Sequence, residues 1–160
     1  MATIATNESL FGEVDSVKFA IYLNKTAKDK MYQINVTKIH KLLYICYGVY
    51  IAVAGNQLLN EKPKAWDYGP AFPRVHKTQK SNNDSLDDLL HEIVLNDFLR
   101  YDNVINPVLD VFGSWSATEL VNWTHKKNGA WHKKILAGER YESLDNYDIL
   151  LDFKEIVVSE

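Results

Sequence analysis

Apolar residues recur at steps of three and four over 36–54, where Ile39, Leu42, Leu43, Cys46, Val49, Tyr50 and Val53 share one face. That period predicts an α-helix with a core-facing stripe. A second stripe of His40, Tyr44, Tyr47 and Ile51 widens it, and only Lys38 and Lys41 mark a charged side. A helix this apolar is expected at the centre of the fold, with neighbours on most sides. Gly55 follows as its C-terminal stop. An earlier helical pattern covers 13–28. It places Val14, Val17 and Ile21 on one face and Phe19 and Leu23 off it, which implies two neighbours.

The helical period is lost over 57–67, where Leu58-Leu59 and Ala65-Trp66 flank Asn60-Glu61-Lys62-Pro63. A hairpin or two extended pieces are expected there. Gly69-Pro70 should break the chain in a turn, since glycine permits positive φ and proline fixes its own. Pro70 is expected to open a short helix through Lys77, with Pro73 in its first turn. After a polar linker over 80–84, Ser85-Leu86-Asp87-Asp88 has the spacing of a capping box. Leu86, Leu89, Leu90 and Ile93 then share a helical face. Asn106-Pro107 should start a helix carrying Val108, Leu109 and Phe112 and ending at Gly113. Ser116 to Glu119 is a second capping box, before Ala117, Leu120, Val121 and Thr124. Asn128-Gly129 predicts a turn, 131–136 a helix, and 145–153 a last helix docking through Ile149, Leu150 and Phe153. The whole predicts a mainly α, compact single-domain helical bundle over 13–155, with a small extended element near 57–67. Residues 1–12 read as a flexible arm and 156–160 as a tail.

The composition supports a packed domain. Of 160 residues, 46% are hydrophobic and 24% charged, enough apolar material for a core without staples. The net charge of −3 argues against a general nucleic-acid binder, which needs a basic excess against phosphates. Cys46 is the single cysteine, so no disulfide can form within the chain. That fits a reducing compartment. The N-terminus lacks the basic and apolar regions of a signal peptide, and the apolar run over 42–54 is shorter than the ~20 residues of a membrane span. A cytoplasmic protein with no membrane partner is expected.

Catalytic chemistry finds little support. None of His40, His76, His91, His125 and His132 lies in an HExxH motif. His125 and His132 could approach across the Asn128-Gly129 turn with Glu119 or Glu139, but the spacing fits no standard metal site. No serine elbow and no glycine-rich phosphate loop occur. Asp84, Asp87 and Asp88 sit where a helix N-terminus favours acids. Lys126-Lys127 and Lys133-Lys134 form a mild basic patch, read as a solvated face. No cofactor, no metal and no enzymatic activity are expected. The aromatics Trp66, Tyr68, Phe72, Trp115, Trp123 and Trp131 cluster around turns, where most should plug the core and some can anchor a partner.

Three blocks carry a resemblance. Lys41-Leu42-Leu43-Tyr44 followed by Gly48 and Ala52, then Ala65-Trp66-Asp67-Tyr68-Gly69-Pro70, then Thr124-His125 with Trp131, resemble in order and spacing the KLLY, AWxYGP and TH…W elements of the Panacea domain family. The resemblance runs over 14–151. The chain departs from the family at Tyr47, Val49, His76 and Ala130, where Gln, Trp, Tyr and Pro are common. The family includes SocA-like antitoxins and GepA-like phage-associated proteins. The resemblance therefore implies a prophage or bacterial antitoxin whose partner is a cognate protein toxin from a neighbouring gene. It also implies an alternative, an adaptor delivering that toxin to a ClpXP-type protease. Outside the resemblance stand a DNA-associated regulator using the lysine patch and a metal-dependent enzyme using His125 and His132. A homo-oligomer is left open. Lys41, Leu42, Leu43, Tyr44, Trp66, Tyr68, Gly69, Pro70, Thr124, His125 and Trp131 are expected to build the scaffold, with Trp66 plugging the core. Tyr47, Arg74, His76 and Trp115 are expected at the surface as toxin-binding anchors.

Overall fold

A computed structural model describes residues 14–158. The expected arm over 1–12 lies outside the described residues, as do the last two residues of the expected tail. Helix α1 (Ser16–Asp29) starts where the Asp15 carboxylate accepts the Lys18 amide. Helix α2 (Val36–Ala54) has the predicted bounds. Asn35 caps it by accepting the Lys38 amide, and Gly55 ends it in the left-handed region at φ 82°.

Helix α2 is the hub. It packs against α1, against strand β2 (Gly69–Ala71), and against helices α4 (Asp102–Phe112), α5 (Ala117–Thr124) and α7 (Asn146–Val158). By length and composition α2 could cross a membrane, but most of it is buried inside the domain, which accounts for its apolar character. It meets α7 closely, because a Cβ on Gly48 would overlap the Phe153 ring. Near its C-terminal end α2 emerges into solvent, so Val53 is exposed although the period put it on the core face. In α1, Phe19 and Leu23 are fully buried beside Ile21, because α1 packs against α2, helix α3 (Pro73–Ser81) and the segment after α3.

Lys38 and Lys41 correct the expected charged side of α2. Both are buried, at 5% and 2% exposure. With other elements packed on nearly every side, neither lysine reaches solvent. Each ammonium instead donates to a backbone carbonyl. Lys38 Nζ donates to Gly113 O (2.6 Å) at the C-terminal cap of α4, where a cation complements the helix dipole. Lys41 Nζ donates to Pro70 O (2.9 Å).

The hairpin lies later than expected. Strand β1 (Lys64–Trp66) pairs antiparallel with β2 through Lys64↔Ala71, Ala65↔Pro70 and Trp66↔Gly69, so Asp67-Tyr68 forms the turn. Gly69 and Pro70 are therefore strand residues. The alternation of an antiparallel ladder puts Pro70 at a non-hydrogen-bonded position, where its missing N–H loses no bond. The Leu58-Leu59 segment is instead bridged to Val14, and both leucines are fully buried. Helix α3 opens at Pro73 rather than Pro70, with that proline in the first turn as required.

The segment after α3 is not the expected α-helix. It runs as 3-10 turns over Asp87–Glu92, Leu95–Asp97 and Leu99–Tyr101. In that geometry residues three apart align, so Leu86 and Leu89 face the core while Leu90, one place on, is exposed. Helix α4 starts five residues before Pro107, which sits inside it and forgoes one backbone bond. Ser116 and Glu119 make both bonds of the predicted capping box at α5. Asn128 takes the left-handed conformation (φ 67°) before helix α6 (Ala130–Leu136). Helix α7 continues through Val158, so 156–158 is helical rather than tail. Ile149 and Phe153 dock it, and Cys46 is buried in α2.

Candidate functional site

The three sequence blocks meet in space. Helix α2 brings Lys41 to Pro70 O, and the third block closes from the other side. Trp131 Nε1 donates to Trp66 O (2.7 Å), and the His125 ring stacks on Trp131 with centroids 3.7 Å apart and planes 3° from parallel. Gly69 is the close point. At φ 104° it is open only to glycine, and a Cβ there would stand 2.7 Å from Thr124 Oγ1 and 3.0 Å from Lys41 Cε. Ala65 is the member of the second block that enters the core. Trp66 corrects the expected core plug: it is half-buried, its ring edge-on to His76 at 5.0 Å.

Histidine 40 anchors the cluster from below. The Phe72 amide donates to its Nδ1 (3.1 Å), so that nitrogen is unprotonated. The proton therefore sits on Nε2, which donates to Gln79 Oε1 (2.9 Å). Gln79 Nε2 donates in turn to Val36 O (3.3 Å). Burial, with the neighbouring Lys41 charge, lowers the His40 pKa to about 4, so the ring stays neutral. Burial also lowers the Lys41 pKa to about 7. Burial first, then the Lys41 charge, lowers that of His125, whose Nε2 is buried without a hydrogen-bond partner among the described residues.

Lys41 thus couples stability to pH. Unfolded, it keeps its proton up to the ordinary lysine range, whereas folded it starts to lose it near pH 7. Between those values the unfolded chain binds more protons, so stability rises with pH. From pH 7 to pH 9 the expected gain is on the order of 2 kcal/mol. At higher pH the buried Tyr44 hydroxyl and Cys46 thiol, both pushed up by burial, keep protons that the unfolded chain releases, and the trend reverses. Urea unfolding at several pH values checks this. Lys41→Met should flatten the rise, and a rise unchanged in that variant contradicts it.

The four expected anchors fare differently. Tyr47 is fully buried, its hydroxyl donating to Asn146 Oδ1 (2.7 Å), which removes the exposure on which its candidacy rested. The stripe it belongs to faces Phe72 and α7 rather than solvent. Arg74 is exposed but engaged: its guanidinium donates to Ser16 Oγ (3.2 Å), Asn60 Oδ1 (2.7 Å) and Asp15 Oδ2 (3.0 Å). Although burial alone raises the Asp15 pKa, the Lys18 amide and Arg74 together hold it below the usual carboxylate range. Arg74→Glu would set a third carboxylate beside Asp15 and Glu61. It is expected to lower stability by about 1–2 kcal/mol in a urea melt, as a clamp does and a free surface residue does not. His76 is partly exposed between Trp66 and His40, and Trp115 is half-buried on Phe112.

His132 Nδ1 accepts the Asn128 amide (3.0 Å), and no group of three metal-ligating side chains occurs among the described residues. The lysine patch is largely engaged: Lys126 lies over the Trp123 ring, Lys133 pairs with Asp148 and Lys134 with Glu139. Asp87 is tied to Lys28 and Asn24 rather than serving as a helix-dipole acid alone. Tyr68, expected in the scaffold, instead stands exposed at the hairpin turn, because the two-residue turn carries it away from the core, and periodicity did not reveal the exposed Val94 and Leu99 on the 3-10 segment, where no regular helix orients them.

Over residues 39–132, a span that contains all three blocks, the chain matches the family described as antitoxin SocA-like, Panacea domain. It is 26% identical over 106 residues to antitoxin SocA of Caulobacter vibrioides (strain NA1000 / CB15N), covering 58% of this chain and 55% of that protein. The chain therefore spans about half the length of the curated relative it matches. No solved structure matches it.

Proposed function

The chain belongs to the antitoxin SocA-like, Panacea domain family, and from that premise we propose that it neutralises a cognate protein toxin by direct binding. The family match carries this reading. The geometry is compatible with it: three sequence blocks build a tightly bonded scaffold, while large side chains such as Tyr68, Val94 and Leu99 stand exposed for a partner. A stoichiometric inhibitor needs a rigid support and a few large anchors, not turnover. The toxin is proposed to be encoded by a neighbouring gene and to be met in the cytoplasm.

The test is co-expression. The neighbouring gene product alone should arrest growth, and this chain should restore growth and co-purify with it. Absence of toxicity, or of binding, in every adjacent product defeats the reading. Rescue that persists in a host lacking ClpXP-type protease supports sequestration. Rescue that disappears there assigns the chain to proteolytic delivery instead.

A further inference from the structure

A cavity of about 130 Å³ opens above the cluster, lined by Thr37, His40, Lys41, Trp66, Tyr68 and His76 among others. Its wall contains no carboxylate, although the chain as a whole is acidic. Lys41 is 2% exposed and has no acidic side chain within ion-pair distance among the described residues. One of its three N–H donors goes to Pro70 O. A buried ammonium with one neutral acceptor is poorly compensated, and the low Lys41 pKa expresses that cost. Val36 and Thr37, in the first turn of α2, complete one wall, and a helix N-terminus adds positive potential there. Trp66 and Tyr68 give the cavity an aromatic rim, with Tyr68 76% exposed at the hairpin turn.

We propose that this cavity is a binding site for a carboxylate group, which Lys41 receives as its missing counter-charge while the Trp66–Tyr68 rim packs against the group that carries it. The volume suits a terminal carboxylate and a short stem, rather than a large metabolite. The shared chemistry admits two sources, a free small acid or the carboxylate of a protein chain. The proposal stands independently of the antitoxin reading.

Thermal unfolding at pH 7 tests it with sodium acetate as the probe, compared with sodium chloride at equal ionic strength and with acetamide, the neutral isostere. Acetate is expected to raise Tm by about 2–4 °C, saturating with concentration, as ligand linkage requires. Chloride and acetamide should give no saturable rise. Lys41→Met should lose the acetate effect. Thr37→Glu, at a half-buried first-turn position that tolerates an acid, should lose it too, because its own carboxylate reaches the cavity. That second variant serves if Lys41→Met does not fold. A linear, unsaturable rise, an equal effect of acetamide, or an acetate effect that survives either substitution overturns the proposal. N-acetyl-alanyl-alanine separates the sources: half-saturation below that of acetate assigns the site to a protein chain end, and above it to a free small acid.

Discussion

Phe153→Ala is expected to cost about 3–5 kcal/mol in urea unfolding, the range for removing a buried aromatic ring. Phe153 is 1% exposed and is held by two other elements at once, α2 and α5. Its ring packs edge-on against Tyr44 at 5.6 Å, lies 5.5 Å from Trp123, and sits over Gly48 where α2 and α7 approach most closely. The surroundings cannot collapse into the space it leaves, because α2 is held by neighbours on its other sides. Phe153→Leu should cost distinctly less, since it keeps much of the volume. A loss below ~1 kcal/mol for the alanine variant would show that α7 docks without this ring.

The second large effect is at Gly69. Gly69→Ala is expected to cost about 3 kcal/mol, combining backbone strain at positive φ with overpacking. The new methyl would press on Thr124 Oγ1, which is already committed to Val121 O (2.8 Å), and on the Lys41 stem. Gly138 provides the comparison. It also has positive φ, at 74°, but a Cβ there meets nothing within 4 Å. Gly138→Ala should therefore cost only the backbone component, about 1 kcal/mol. Equal losses in the two variants would mean that the approach of the three blocks at Gly69 contributes nothing to stability.

Both sites show how much could be read before the structure. Gly69 was legible as a special backbone position but misplaced in a turn. The pairing of β2 with β1, and the burial of Lys41 against Pro70, depend on partners that glycine and proline preferences do not specify. Phe153 was legible as a docking residue, because its helix has a clear period. The surface anchors were less legible. Tyr47 lies on a helix so apolar that no residue of its middle turns could be assigned to solvent, and Arg74 needed knowledge of Asp15, Ser16 and Asn60 beside it.

What the sequence by itself determined is local or ordered along the chain. The bounds of α2 follow from a period of three and four with Asn35 and Gly55 at its ends. The start of α5 follows from Ser116 and Glu119. Family membership follows from three blocks in order. The helix bounds rest on side chains within a few residues of one another and the family on order along the chain, so neither needs the tertiary context. What only the tertiary structure decided is which charges lose water and which blocks touch. Lys41 meets a carbonyl 29 residues away, and Trp131 reaches Trp66 across 65. Lys38 reaches Gly113 across 75. Desolvation of a lysine is set by the helices that close over it. A lysine whose local pattern marked it as the solvent side thus lines a cavity without carboxylates inside an acidic protein.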